Sequence, residues 1–178
     1  MALTQEIKEK IVAAVRGFRL PRYEEIPNVG LYLEQVTKYI CDCLAPLGDV
    51  NLTGSMISNY VKRGLVENPV KKQYFRQQIA YIIYIAVAKN VLSLDNICTL
   101  FEMQKLTYEP QVAYEYFRRE FENVLFYVFG LKDTLETVGS DATDEKIMLR
   151  NTIITVAHKV YLDMCFSAMQ YERNKKKD

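Results

Sequence analysis

Positive charge in this chain is concentrated in one short stretch, residues 53–76. The 178 residues carry 23 Lys and Arg against 22 Asp and Glu, so the net charge of the whole chain is only +1. Within the stretch, five basic residues stand against the single acid Glu67: Lys62, Arg63, Lys71, Lys72 and Arg76. Cations at this density are typical of a surface that contacts phosphates. A solvated basic surface without a ligand is the alternative interpretation.

Small polar side chains share this stretch with the cations. Thr53 is a good N-cap residue and Gly64 suits a helix end, so we predict a helix over 54–63. Ile57 and Val61 are four residues apart and are expected to face the core. The opposite face is polar and carries no acid: Ser55, Ser58, Asn59 and Lys62. Short hydrogen-bonding side chains flanked by cations are what a helix in the DNA major groove requires.

Three further residues extend this candidate surface. The hydroxyl of Tyr60 could contact a phosphate, or Tyr60 could be a core residue with its tip in water. Lys71 and Lys72 follow the predicted helix within an irregular segment, 68–74. If that segment forms a β-wing, both lysines reach a neighbouring phosphate or the minor groove.

Other residue types capable of chemistry are scattered along the chain. His158 is the single histidine and falls in the apolar register of the last predicted helix, which favours a structural role over a catalytic one. Cys41 and Cys43 are two residues apart, so on a helix they point about 200° apart and cannot jointly bind a metal. No phosphate-binding glycine loop, paired-carboxylate or nucleophile motif occurs. We therefore expect no enzymatic activity, no metal and no cofactor.

Aromatic side chains are concentrated in residues 108–129. The segment holds Tyr108, Tyr114, Tyr116, Phe117, Phe121, Phe126, Tyr127 and Phe129. An ordinary core or a dimer interface explains such a cluster, and an aromatic effector pocket is the functional alternative.

The elements that position these residues are predicted to be helices. Apolar residues recur every three or four positions, and the chain has only 7 Gly and 5 Pro. We predict a Thr4-capped first helix, an extended linker over 19–27, helices over 29–46 (capped by Asn28), 54–63 and 75–90, a short Ser93-capped helix, a helix from Pro110 to Gly130, and a final helix of roughly 30 residues. The fold class is therefore all-α with at most a small β-wing.

The chain shows no membrane-targeting pattern. Its longest apolar run, Ile79–Ala88, has ten residues, whereas a bilayer span needs about 20. The first ten residues contain acids and no continuous apolar segment, unlike a signal peptide. These features, with cysteines that suggest no disulfide framework, favour a cytoplasmic protein without membrane partners.

The basic stretch resembles the recognition helix and exit turn of MerR-type regulators. The similar residues are Ile57-Ser-Asn-Tyr-Val-Lys-Arg-Gly-Leu-Val66, followed by Pro69 at the wing and Ser93-Leu-x-x-Ile97 at a later helix. Most of 20–125 also resembles an uncharacterised bacterial family of MerR-like helix-turn-helix proteins. That likeness rests on Leu20-Pro-Arg-Tyr-Glu-Glu-Ile-Pro27 and on Asn51-Leu-Thr-x-Ser-Met-Ile-x-Asn-Tyr-Val-Lys62.

The resemblance implies a DNA-binding transcription regulator that acts on double-stranded DNA as a homodimer. It divides the chain into an N-terminal helix and linker (1–28), a winged helix-turn-helix (29–106) and a C-terminal dimerisation or sensing part (107–178). Two alternatives stay open. The chain could be a protein-interaction module, because Ser58 stands where MerR-type regulators usually carry Arg. It could also be a small-molecule sensor that uses the 108–129 aromatics.

Overall fold

The computed structural model describes residues 4–48, 51–139 and 143–175, which form seven α-helices and a pair of two-residue strands. The helices are α1 (Gln5–Arg16), α2 (Leu33–Leu44), α3 (Gly54–Lys62), α4 (Arg76–Ala88), α5 (Leu94–Thr107), α6 (Pro110–Val128) and α7 (Asp144–Lys175). Strands β1 (Leu31–Tyr32) and β2 (Gln73–Tyr74) pair antiparallel. The prediction of an all-α chain with a small β element is confirmed.

None of the helices that the structure describes is both long and apolar enough to cross a bilayer.

Local sequence signals explain where most helices begin. The hydroxyl oxygens of Thr4, Thr53 and Ser93 each accept a hydrogen bond from the backbone N–H three residues later, at 3.2–3.3 Å. These bonds satisfy amide groups that have no partner inside the helix. Pro110 is the first residue of α6, where its missing N–H costs nothing. The predicted starts of these four helices are confirmed.

The predicted start of the second helix is wrong. Asn28 does not cap it; the side-chain Oδ1 of Asn28 instead accepts from the backbone N–H of Arg76 at 3.3 Å, at the beginning of α4. Gly30 has a φ of +78°, which interrupts helical geometry. The chain then extends as β1, whose Leu31 pairs with Tyr74, and α2 begins only at Leu33.

Helix α4 forms the centre of the core. Its side chains are buried on every face, as predicted, with Ile79, Ile82, Ile83 and Ile85 fully inaccessible. Helices α2, α6 and α7 pack around it. Burying each large aliphatic side chain contributes about 1.5–3 kcal/mol to the free energy of unfolding.

The segment predicted as an extended linker, 19–27, is part of this core. Leu20 and Ile26 are fully buried. The backbone N–H groups of Leu20 and Tyr23 donate to the carboxylates of Glu122 and Glu115 on α6, at 2.9 and 2.6 Å. The segment therefore fastens α1 to the C-terminal helices instead of separating them.

Helices α6 and α7 lie side by side and run in the same direction. The Glu120 carboxylate pairs with Arg150 (Oε1 to Nε, 3.1 Å). Farther toward the C-terminal ends of both helices, the Phe129 ring packs against Tyr161 with centroids 5.3 Å apart. The intervening chain returns from the end of α6 to the start of α7, and its Glu136 carbonyl accepts from Asn123 at 2.8 Å. This return places Val138 and Gly139 beside the first turns of both helices.

Candidate nucleic-acid interface

Helix α3 presents the predicted polar face to solvent. Ser55, Ser58, Asn59 and Lys62 are all exposed, while Ile57 on the opposite face is fully buried. The Ser58 hydroxyl donates to the Gly54 carbonyl at 3.0 Å, so its oxygen still has acceptor capacity toward a ligand. An α-helix with its side chains is about 10–12 Å in diameter, which fits the major groove of about 12 Å width.

Lys71 and Lys72 form the tip of a two-residue hairpin. Val70 and Gln73 exchange backbone hydrogen bonds of 2.9 and 3.0 Å across the tip. Both lysines have positive φ, 50° and 66°, as a type I′ turn requires. Both side chains are exposed and make no ion pair with any residue of 4–48, 51–139 or 143–175. The turn therefore presents two ammonium groups side by side.

The start of helix α2 joins α3 to this hairpin tip. On one side, β2 continues from the hairpin and pairs with β1, which leads directly into α2. On the other side, Leu33 in α2 lies so close to Gly54 in α3 that an added Cβ would stand 3.2 Å from the leucine side chain. Glycine at this position permits the close approach of the two helices. The polar face of α3 and the hairpin tip are thus connected through one packed unit.

A half-buried lysine also fixes the chain leading into α3. The Lys89 ammonium donates to the Asn51 carbonyl and lies 3.8 Å from the Met56 sulfur. Its partial burial lowers the pKa of this lysine below the usual value. Lys89 therefore holds the N-terminal end of α3 rather than facing a ligand.

Two predicted phosphate contacts have partners within the protein. Arg63 at the end of α3 pairs with Asp95 (Nη2 to Oδ1, 3.1 Å), but both side chains are well exposed, and such pairs stabilise by about 0–1 kcal/mol. Arg76 is held more firmly: its guanidinium donates to the carbonyls of Ile26 and Glu24 at 3.0 and 2.9 Å. Arg63 can exchange its partner for a phosphate, whereas Arg76 secures the 19–27 segment to α4.

Tyr60 does not belong to the exposed surface. Only 2% of the residue is accessible, and its hydroxyl is buried without a hydrogen-bond partner among the described atoms. Burial raises its pKa, so the phenol stays neutral. The prediction that Tyr60 contacts a phosphate is therefore wrong. The structure keeps Ser55, Ser58, Asn59, Lys62 and Arg63 together on α3, and Lys71 and Lys72 on the hairpin.

A second concave feature lies in the other half of the molecule. A cleft of about 450 Å³ opens between α4, α5, α6 and the start of α7. Tyr108, Tyr116 and Phe117 of the predicted aromatic segment line it, together with Tyr81, Tyr84 and Phe101 from α4 and α5. The residues contributed by α4 and α5 were not predicted as part of a pocket, although Tyr81 and Tyr84 stand out among the aliphatic side chains of α4.

Comparison with known proteins identifies a family of undetermined function. No curated protein matches the chain, and no solved structure does. A family model described as a domain of unknown function, DUF1836, matches residues 21–117, which is more than half of the chain. The match runs from the 19–27 segment through α2–α5 and the hairpin into α6. The chain therefore belongs to the DUF1836 family.

Proposed function

We propose that this protein is a DNA-binding transcription regulator in which residues 29–106 form a MerR-like winged helix-turn-helix. In this proposal α3 is the recognition helix and the Val70–Gln73 hairpin is the wing. The observation that carries the proposal is the exposed face of α3, which has no acidic residue and is joined through the start of α2 to a hairpin tip with two lysines.

Each part of this surface has a separate role in the proposal. Ser55, Ser58 and Asn59 hydrogen-bond to base edges, since their short side chains reach the floor of the major groove. Lys62, Lys71 and Lys72 contact phosphates and position the helix. Arg63 joins them when it releases Asp95.

A single module of this size gives only a small interface with DNA, so the proposal includes a homodimer. Helix α7 supplies a surface for it. Leu162 and Phe166 are one turn apart on α7 and are 50% and 57% exposed. Exposed apolar side chains at this spacing suit helix-to-helix packing between two copies.

Selection of preferred sequences from a random duplex library tests the recognition role of α3. We expect one sequence class to be enriched. For that class Asn59→Ala should lower the preference over a scrambled duplex about tenfold, because a lost base contact costs about 1–3 kcal/mol. Affinity for the scrambled duplex should stay unchanged.

The matched control is Asn151→Ala, which removes an exposed amide from α7. It should leave the preference intact. Enrichment that is insensitive to Asn59→Ala would contradict the assignment of α3 as the recognition helix. The absence of any enriched class would contradict sequence-specific regulation.

A protein-interaction module on the same fold is the second candidate. The engagement of Arg76 within the protein and the pairing of Arg63 with Asp95 favour it, since they leave fewer cations for phosphates than the sequence predicts. In that case the protein does not bind duplex DNA at low salt, and its exposed helical surfaces bind a protein partner.

A further inference from the structure

The cleft beside α6 has the size and lining of a small-molecule site. Its volume of about 450 Å³ lies within the range of about 300–1,000 Å³ that is usual for ligand pockets. Four helices contribute to it, so its shape depends on the packing of the core rather than on one loop.

Aromatic rings that hold one another in place form its wall. Tyr81 packs edge-on against Phe101 with centroids 4.7 Å apart, and Tyr84 packs edge-on against Phe117 at 5.1 Å. Such contacts fix ring orientation, and the rings give the cleft an apolar, aromatic lining. The wall therefore suits the flat body of an aromatic molecule.

Among the described residues that line the cleft, the two carboxylates both have partners within the protein. Glu115 accepts from the backbone N–H of Tyr23 at 2.6 Å and pairs with Arg118 at 3.0 Å. Glu145 accepts from the hydroxyl of Thr107, and this contact lowers the pKa of the Glu145 carboxyl. Neither acid is therefore positioned as an open partner for a cationic ligand.

The cations on the cleft are arranged differently. The Lys146 ammonium lies over the rings of Tyr108 and Tyr116, 5.1 and 4.8 Å from their centroids. Arg119 follows Tyr116 by one helical turn, is exposed, and forms no ion pair within the described parts of the chain. A guanidinium beside an aromatic wall is a ready partner for a carboxylate or sulfonate.

We propose that this cleft binds a small planar aromatic molecule bearing one anionic group, with the ring against the tyrosine and phenylalanine wall and the anion at Arg119. The site is distinct from the α3 surface, and its test requires no DNA.

The test uses two fluorescent probes of nearly equal shape. One is 8-anilinonaphthalene-1-sulfonate, an aromatic anion, and the other is the uncharged N-phenyl-1-naphthylamine. We expect saturable binding of one sulfonate probe per chain, with higher affinity than for the uncharged probe. Ala113→Phe fills the cleft and should weaken binding of both probes about tenfold or more. Ala14→Phe, on an exposed face of α1, should change neither.

A second pair of variants tests the anion. Arg119→Gln should weaken binding of the sulfonate about threefold to fivefold, as expected for an exposed ion pair, and leave the uncharged probe unaffected. Arg16→Gln is its control on α1. The proposal would be overturned if the wild type shows no saturable binding, or if it binds the two probes with equal affinity. Full binding by a folded Ala113→Phe variant would also overturn it. If Ala113→Phe does not fold, the Arg119→Gln variant tests the proposal alone, because Arg119 is exposed and its replacement should not disturb folding.

Discussion

Lys71 and Lys72 occupy a backbone conformation that residues with a Cβ rarely adopt. Their φ angles of 50° and 66° each cost about 1–2 kcal/mol relative to ordinary geometry. Asn-Gly is the pair that a type I′ turn favours. Strain of this kind is often kept at functional sites, and in our proposal it is tolerated because it places two ammonium groups at the wing tip.

Replacing the pair by Asn-Gly should therefore change stability and DNA binding in opposite directions. For Lys71→Asn/Lys72→Gly we expect the free energy of unfolding to rise by about 1 kcal/mol, because the strain is relieved. Affinity for duplex DNA should fall because two phosphate contacts are lost. Urea unfolding and fluorescence anisotropy measure the two effects. Lys71→Arg/Lys72→Arg keeps the charge and should keep binding; unchanged DNA affinity in the Asn-Gly variant would contradict the role of the wing.

The burial of Tyr60 could have been read from the sequence, but the role of Arg76 could not. Ile57, Tyr60 and Val61 follow the three-and-four spacing of a core-facing stripe, so Tyr60 belongs with the apolar positions. Arg76 binds carbonyls some 50 residues earlier in the chain. Only the tertiary structure brings these groups together.

At the scale of the elements, capping residues and apolar periodicity predicted most helices correctly. The start of α2 is the exception, because β1 forms only by pairing with β2, which lies about 40 residues later. A two-residue strand also leaves too short a pattern for periodicity to detect. Apolar residues at helical spacing predicted the long final helix. Which of its apolar residues stay exposed follows only from the structure, in which another face of the helix packs against α6.

These exposed residues on α7 should control the oligomeric state. We expect a wild-type dimer, and we expect Leu162→Glu/Phe166→Glu to convert it to a monomer because charges would be buried without partners. The control Ser167→Glu/Asn174→Glu adds the same charge at exposed polar positions on a different face of the same helix. Light scattering after size-exclusion chromatography measures the mass. A wild-type monomer at all concentrations, or a dimer that persists in the Leu162/Phe166 variant, would contradict this interface.

At the scale of the whole molecule, the 19–27 segment and the cleft both depend on contacts between residues far apart in the chain. Two prolines made 19–27 look like a linker, whereas Leu20 and Ile26 are core residues held by carboxylates on α6. The aromatic segment 108–129 suggested either a core or a pocket, and the structure places it in both. Phe121 is fully buried, while Tyr116 lines the cleft.

The central claim is that α3 and the hairpin form one DNA-binding surface, and the salt dependence of binding to a random-sequence duplex tests it most directly. With three phosphate contacts per protomer, from Lys62, Lys71 and Lys72, we expect affinity to fall about 40-fold between 50 and 200 mM salt for one bound protomer and about 1,800-fold for two. Lys62→Ala/Lys71→Ala/Lys72→Ala should remove most of this dependence and leave at most the contact from Arg63, whereas Lys8→Ala/Lys10→Ala/Arg16→Ala, an equal charge change on α1, should leave it unchanged. Binding that is absent at 50 mM salt, or equally sensitive to both triple variants, would contradict the account.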